Sequence, residues 1–408
     1  MKHSVFSASG AERWSNCAGS LVLSQGIPRR SSFAADEGTA GHELGEKCIA
    51  DGTEPYDFIG EVIDVCGSGG GVITNKIEVS LDLAEAVSKY VEYVRGISGT
   101  RWLETRIFYA TLLGVPEDEG FGTGDCCILD GTILHVIDAK FGRGYVNPEK
   151  NKQMILYGAG VTDAIEAVGE EVTEIHLHVV QPRVSDKPVP YIMTRAELQE
   201  EVDWLRERAQ LAMEATISFT NINDESWVKR YLTPGEYQCQ WCPAAVNCPA
   251  LKAEVSEFTA AADDEFGITN FLEQLPGKKL GEYQTQVGLV EIWVKAVEHE
   301  TMRRLTRGDS DVKGWKLVKG REGNRKYANE ETAAEAFKDE PDAFNPATIK
   351  SPAQLEKVLT KKKDKDGKEL LAKLVVRNPP KPTLTTADDP REPWTEAASA
   401  DEFGMVEN

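Results

Sequence analysis

The chain has 408 residues, of which 41% are hydrophobic, and it carries a formal net charge of −21. This size allows a sizeable core, while the excess of acidic residues argues against a protein that coats nucleic acid by bulk electrostatics. Because the sequence contains no apolar stretch long enough for a membrane span and no signal-peptide core at its start, we expect a cytosolic protein with no membrane partner.

Apolar periodicity and turn residues predict alternating helices and strands in the first part of the chain. The first predicted elements are a short helix after the opening turn, a helix that begins after Gly38-Thr39 and stops at Gly52, and two apolar runs around a glycine-rich loop within 61–80. They are followed by a helix at 82–97, a strand at 100–109, a hairpin that turns at Asp130-Gly131, a helix at 151–169, a strand at 173–183 and a helix at 195–219. This order predicts an α/β fold with a central mixed β-sheet flanked by helices.

The chain changes character after about residue 262. We predict a first domain over 1–261, a helical segment over 262–310 with a helical pair at roughly 268–306, a basic region over 311–386 and a disordered tail over 387–408. From Arg303 to Lys326, nine Lys or Arg residues stand against three acidic ones. Such a run is typical either of a solvated surface or of a phosphate contact.

Two carboxylates and a lysine are expected to share one face of the predicted hairpin. Side chains alternate along a strand, so Asp138 and Lys140 point the same way. If Asp130-Gly131 is a two-residue turn, Asp125 lies opposite Val136 and diagonal to Asp138. Two carboxylates this close repel each other unless a cation lies between them, and their hard oxygen atoms suit Mg²⁺ or Mn²⁺. Lys140 would then orient a water molecule or stabilise charge on a phosphate oxygen.

The alternative for this segment is an ordinary strand with one polar face in water. Its apolar neighbours argue against that alternative, because they predict a largely buried strand, and burying Asp138 and Lys140 without a role is costly. These neighbours are Ile133, Leu134, Val136 and Ile137.

Three cysteines have the spacing of metal ligands: Cys239, Cys242 and Cys248. A tetrahedral site needs a fourth ligand, and spacing alone does not choose between zinc and an iron–sulfur cluster. The candidates for the fourth ligand are Cys17, Cys48, Cys66, Cys126 and Cys127.

Several motifs, in the right order, resemble the PD-(D/E)XK nuclease superfamily in its RecB-like branch. They are Gly122-x-x-Asp125, "VIDAKFG" from Val136, Gln153-x-x-x-Tyr157 and, upstream, Gly38 with His42 in "GTAGHELGE". The last segment differs from the zinc-protease H-E-x-x-H motif, because Glu46 stands where that motif requires a second histidine. The resemblance covers about residues 1–260 and implies a restriction-endonuclease-like core.

The resemblance also implies roles for individual residues. His42, Asp125, Asp138 and the backbone carbonyl of Ala139 would bind the catalytic Mg²⁺ or Mn²⁺. Lys140 would assist the attacking water, while Gln153 and Tyr157 would hold the site or the DNA strand. DNA contacts are expected from basic residues near the site and in the basic run, namely Arg143, Lys150, Lys152, Arg303, Arg304 and Arg307.

RecB-like nucleases of the AddB type, and the related CRISPR-adaptation nucleases, carry one cysteine before the nuclease motifs and three after them. Cys17 occupies the matching first position. The resemblance therefore implies a [4Fe-4S] cluster held by Cys17, Cys239, Cys242 and Cys248, with structural Zn²⁺ as the alternative.

The sequence contains no G-x-x-x-x-G-K-[ST] phosphate loop, so we expect a nuclease without an ATP-driven motor of its own. Its opening and tail also resemble a family of bacteriophage and prophage proteins. This implies a DNA exonuclease of phage recombination or repair in the bacterial host cytosol, acting beside a single-strand annealing protein. The alternatives are a catalytically inactive DNA-binding or scaffold module of a recombination or packaging complex, and a zinc-stapled regulator.

Overall fold

The computed structural model describes residues 4–27, 33–66, 73–185, 187–265, 277–307 and 312–315, together with the isolated residues Thr360, Lys365 and Lys368. The chain divides into two compact units, Met1–Val318 and Lys319–Asn408. All the elements below belong to the first unit. The tail predicted over 387–408 and most of the basic region predicted over 311–386 lie outside the described residues.

Five strands form a mixed sheet in which the strand order follows the chain order. The strands are β3 (Thr100–Phe108), β4 (Phe121–Asp130), β5 (Ile133–Ala139), β6 (Glu174–Val180) and β7 (Tyr191–Thr194), and a separate pair consists of β1 (Val62–Cys66) and β2 (Ile73–Glu78). Within the five-stranded sheet β5 and β6 are parallel, and the other neighbours are antiparallel. The predicted α/β class with a central mixed sheet is confirmed.

Helices cover both faces of this sheet. In chain order they are α1 (Ala11–Asn16), α2 (Ser20–Ser24), α3 (Phe33–Asp51), α4 (Leu81–Arg95), α5 (Ala110–Leu113), α6 (Lys152–Ala167), α7 (Arg195–Ser218), α8 (Glu225–Tyr231), α9 (Glu236–Gln240), α10 (Pro249–Glu265) and α11 (Gly277–Arg307). Ser80 caps α4 by accepting a hydrogen bond from Leu83 N, and a capping box at Thr194 and Glu197 begins α7. Among the described residues, none of the helices is both long and apolar enough to cross a membrane.

Side-chain alternation divides the core into two layers. One face of β4 and β5 packs Cys127, Val136 and their neighbours against α6 and α7. The other face packs Cys126, Ile137 and their neighbours against α3 and α4. A sheet buried on both faces needs apolar residues at successive positions, which explains the nearly continuous apolar run of β5.

The start of α3 differs from the sequence prediction. The helix begins at Phe33 rather than after Gly38-Thr39, although it ends at Asp51 as expected, with Gly52 at φ +71°. Asp36 lies in the first turn, where a carboxylate interacts favourably with the helix dipole. A Cβ atom on Gly38 would have no heavy atom within 4 Å, so this glycine marks neither a tight contact nor a boundary.

The predicted hairpin register is wrong by two residues. The turn residues are Gly131 and Thr132 rather than Asp130 and Gly131, and Asp130 pairs with Ile133. Gly131 has a φ of +63°, which the first position of a two-residue hairpin turn favours. Cys126 pairs with Ile137, so the next position in this register sets Asp125 directly across from Asp138 rather than diagonal to it.

The long helix α11 packs against the cysteine-rich segment. Leu289, Ile292 and Trp293 lie on a small core formed by Cys239 and Leu251 with Ala245. The first compact unit therefore extends to Val318 and includes this helix, whereas the sequence predicts a first domain that ends at residue 261. The predicted helical pair at 268–306 is represented by one described helix, since residues 266–276 lie outside the described residues.

Candidate metal centre

Asp125 is held from two sides at the middle of β4. Its Oδ2 accepts a hydrogen bond of 2.7 Å from the backbone N–H of Ala139, the buried last residue of β5, and lies 3.2 Å from Nδ1 of His42. Burial alone would raise the pKa of Asp125, but the His42 hydrogen bond and the positive charges of His42 and Lys140 outweigh it, so the pKa is lowered. Asp125 is therefore a fixed, ionised oxygen donor.

Asp138 is the most deeply buried acidic group of the centre, with 2% of its surface exposed. Its Oδ1 accepts a hydrogen bond of 2.9 Å from Nε2 of Gln153, and its Oδ2 lies 2.7 Å from Nζ of Lys140. Burial, together with the negative charge of Asp125, raises the pKa of Asp138 despite the opposing effect of Lys140. A divalent cation between Asp125 and Asp138 would offset the repulsion between these two carboxylates. Without it, both carboxylates depend on the positive charges of His42 and Lys140.

The side chain of Lys140 contacts both solvent and the buried acidic groups. A third of its side chain is exposed (33%), whereas its ammonium contacts the buried Oδ2 of Asp138. Burial alone would lower its pKa, but the charges of Asp138 and Asp125 outweigh this and raise the pKa above its usual value. Lys140 therefore remains positively charged, and it can donate hydrogen bonds to a water or a phosphate oxygen but cannot act as a base at neutral pH.

Tyr157 lies on α6, one turn after Gln153. The Gln153 side chain forms a hydrogen bond with the Tyr157 hydroxyl. Tyr157 is 5% exposed, and burial raises its pKa. A Cβ atom at Gly122 would lie 2.7 Å from Tyr157 Cε1, so β4 needs glycine here for the ring to pass. This close approach gives the glycine of the Gly122-x-x-Asp125 motif a physical role.

His42 lies on α3 and contacts the centre through Asp125 on β4. A Cβ atom on Gly41 would lie 2.7 Å from the ring of Phe141, so this glycine lets α3 approach the segment that follows β5. The rings of His42 and Phe141 meet edge to face at 5.4 Å. Burial alone would lower the pKa of His42, but Asp125 reverses the effect and raises it.

Glu104 also belongs to this centre, although it is not among the site residues predicted from the sequence. Its register position on β3 faces Asp125, and ligand atoms of Glu104, Asp125 and His42 lie within 4.8 Å of one another. Its φ of +41° is unusual for a residue other than glycine. Burial and the charge of Asp125 raise the pKa of Glu104 to about 7. The sequence feature that could have identified Glu104 is its position as the lone acidic residue inside the predicted strand "TRWLETRIFY".

Arg183 fixes the position of α3 relative to the sheet. Its side chain is 8% exposed, and its guanidinium lies 2.7 Å from both Glu37 on α3 and Asp82 on α4. It also donates a hydrogen bond of 2.6 Å to the carbonyl of Phe141. Arg183 therefore connects the helix that carries His42 with the segment next to Lys140.

We expect Arg183→Met to lower the free energy of unfolding by about 2–3 kcal/mol, because it removes charge-assisted hydrogen bonds from a largely buried site. Chemical denaturation of both proteins measures this. Arg195→Met is the matched control: Arg195 pairs with Glu166, both about one third exposed (35% and 37%), and its loss is expected to cost at most about 1 kcal/mol. Equal effects of the two substitutions would contradict the role given to Arg183.

The four cysteines expected to bind a metal group line one cavity. Cys17, Cys239, Cys242 and Cys248 surround it together with apolar residues such as Leu23 and Leu251. Two backbone N–H groups point at sulfur atoms, from Thr233 to Cys17 Sγ and from Gly235 to Cys239 Sγ, each at 3.5 Å. Burial raises the pKa of Cys17 to about 12 and that of Cys239 to about 11.

The remaining candidate cysteines lie elsewhere. Cys48, Cys126 and Cys127 are buried in the two main core layers, and Cys66 is exposed on β1. The structure thus selects Cys17 as the cysteine that lies with the three in the cavity. Because burial raises the pKa of the Cys17 and Cys239 thiols, binding a metal group as thiolates would release protons from them.

Five of the six basic residues expected to contact DNA have acidic partners among the described residues. Arg143 is 77% exposed beside Asp82, and Lys150 and Lys152 both contact Glu201. Arg303 and Arg304 both bind Glu300 on α11, while Arg307 is exposed at the end of that helix. The exposed pair of Arg143 with Asp82 contributes little stability, whereas Lys152 and Glu201 are only 15% and 13% exposed.

A family model described as "Protein of unknown function (DUF2800)" matches residues 3–392. The match includes the carboxylate centre, the cysteine cavity and the whole basic region over 311–386. The chain therefore belongs to the DUF2800 family.

Proposed function

We propose that this chain is a divalent-metal-dependent deoxyribonuclease, and specifically an exonuclease of phage DNA recombination or repair in the bacterial cytosol. One observation carries the proposal. Asp138 is a carboxylate with 2% exposure, across the strands from Asp125, and its Oδ2 lies 2.7 Å from the ammonium of Lys140. A fold seldom buries such a group without a task, because the desolvation of a charge is costly.

The donor set fits Mg²⁺ or Mn²⁺. Asp125 and Asp138 supply carboxylate oxygens, the carbonyl of Ala139 supplies a neutral oxygen, and His42 supplies a nitrogen. Oxygen-rich sets of this kind suit hard divalent cations, and Glu104 adds a further carboxylate. When bound, the cation would supply Lewis-acid stabilisation of the phosphate oxygens and a more acidic water.

The side chains around the cation site divide the remaining tasks. Gln153 holds Oδ1 of Asp138 and so directs Oδ2 toward Lys140. The Ala139 N–H fixes Asp125 in the same way. Lys140, which stays protonated, would orient the attacking water and neutralise charge on the phosphate in the transition state. In-line attack by this water at phosphorus would break the bond to the 3′ oxygen, leaving a 5′-phosphate on one product and a 3′-hydroxyl on the other.

The cysteine cavity would hold a [4Fe-4S] cluster, or structural Zn²⁺ as the alternative, and would join the two ends of the nuclease domain. Cys17 comes from the opening helices and the other three cysteines from residues 239–248. The expected partners are DNA, bound through the basic residues named above, and a phage single-strand annealing protein.

Linear and closed circular DNA compared side by side test this proposal. We expect chelator-treated protein to be inactive, and added Mg²⁺ or Mn²⁺ to restore degradation of end-labelled linear DNA while circular DNA stays intact. Cutting of both substrates would retain the nuclease and overturn the exonuclease assignment. DNA binding without any cleavage, at every divalent cation tested, would favour the scaffold alternative.

A further inference from the structure

Three of the six histidines in the chain meet on the opposite face of the sheet from Asp138. His135 on β5 pairs with His176 on the parallel strand β6, and His178 lies two residues farther along the same face of β6. One ring nitrogen from each histidine lies within 4.8 Å of those from the other two. Asp138 is three residues from His135, so its side chain points to the other face.

Neighbouring polar groups fix the orientation of these rings. The hydroxyl of Tyr93 on α4 lies 2.8 Å from Nδ1 of His178, whose Nε2 lies 3.0 Å from Nδ1 of His135. Glu174 contacts Nε2 of His176 at 2.5 Å. Carboxylates and hydroxyls that hold one imidazole nitrogen, and thereby direct the other, are the usual outer partners of metal-binding histidines.

The histidines at the centre of the cluster are in the form that binds metals. Burial, followed by the neighbouring imidazoles, lowers the pKa of His178 to about 3, and the same causes lower the pKa of His135. Both rings are therefore neutral at pH 7. A neutral imidazole has a lone pair to offer, whereas an imidazolium has none.

The distances require small movements. Zinc–nitrogen bonds of 2.0–2.1 Å in a tetrahedral site separate the nitrogen atoms by about 3.3 Å. His135 Nδ1 and His178 Nε2, at 3.0 Å, are already close to this separation. A ring nitrogen of His176 lies within 4.8 Å of those of the other two histidines, so its side chain has to move closer before all three bind one ion.

We propose that His135, His176 and His178 form a second metal site, which binds a borderline transition-metal ion of the Zn²⁺ class through three imidazole nitrogens. The fourth position is left to water. Imidazole donors favour Zn²⁺ over Mg²⁺, so this site and the carboxylate centre would select different ions. Metal binding by these histidines would not depend on nuclease activity at the carboxylate centre.

Zinc stoichiometry of the full chain tests the second site. Chelator-treated wild type, the double variant His135→Gln/His176→Gln and the control His299→Gln are dialysed against Zn²⁺, and the bound zinc is counted. His299 is an exposed histidine on α11. Zinc in the cysteine cavity or at the carboxylate centre is common to all three proteins, so their difference reports on this cluster.

We expect the double variant to bind one zinc fewer per chain than wild type, and His299→Gln to match wild type. With histidine-selective ¹⁵N labelling, Zn²⁺ should shift the ring signals of His135, His176 and His178 and leave that of His299 unmoved. If the double variant does not fold, His176→Gln alone should weaken zinc binding more than about 10-fold, since even outer partners contribute that much. Equal stoichiometry, or equal affinity of His176→Gln and wild type, would overturn the proposal.

Discussion

Lys140→Ala is expected to lower the rate of DNA cleavage by at least about 1,000-fold, because it removes the ammonium group that would face the phosphate in the transition state. Cation binding should persist, since Lys140 contributes no metal ligand and its ammonium competes for Oδ2 of Asp138. Single-turnover cleavage of labelled DNA and calorimetric titration with Mn²⁺ measure the two properties separately.

Two further variants make the test of Lys140 specific. Lys140→Gln keeps a hydrogen-bond donor beside Asp138 and should fold at least as well as Lys140→Ala, yet it should be similarly inactive because it lacks the charge. Lys229→Ala removes a lysine that is 80% exposed on α8, and it should cleave at the wild-type rate. An unchanged rate for Lys140→Ala would contradict the role proposed for this lysine.

Cys17→Ser is expected to release most of the metal from the cysteine cavity and to lower Tm by on the order of 10 °C. The substitution exchanges one sulfur for an oxygen, and its effect on packing alone should cost only about 1–2 kcal/mol. A loss of stability greater than this would therefore indicate that the metal group is missing. Iron and zinc analysis, a visible spectrum under anaerobic conditions and thermal unfolding measure the result.

Cys66→Ser is the matched control, because Cys66 is exposed on β1 and lies outside the cysteine cavity. It should keep the metal content and Tm of wild type. A brown wild-type protein with about four irons per chain would favour the cluster, and a colourless protein with zinc would favour the alternative. Identical metal contents of Cys17→Ser and wild type would exclude Cys17 as a ligand.

The helices and strands around the centre could be predicted because their apolar residues follow helix or strand periods. The hairpin register could not. The predicted and observed registers differ by two residues, and a shift of two keeps every side chain on the same face. The alternating pattern therefore fits both registers, and the turn at Gly131-Thr132 decides between them.

The candidate site, like the fold, could be predicted only in part from the sequence. Asp125, Asp138, Lys140, Gln153 and Tyr157 were identified by motif, and all lie together in the structure. Glu104 and the histidines of β5 and β6 were not identified, because each becomes significant only through a neighbouring strand. Glu104 faces Asp125 across β3 and β4, and His135 faces His176 across β5 and β6. Such pairs depend on strand order, which sequence periodicity does not report.

Hydrolysis of DNA at the carboxylate centre is tested by the cleavage rate of Asp138→Asn measured beside that of wild type. Asparagine keeps the shape of the side chain and an acceptor for Gln153, but it removes the buried charge. With Mn²⁺ and end-labelled linear DNA, we expect wild type to degrade the substrate and Asp138→Asn to be at least about 1,000-fold slower. Equal rates, or no cleavage by either protein, would contradict DNA hydrolysis at the carboxylate centre.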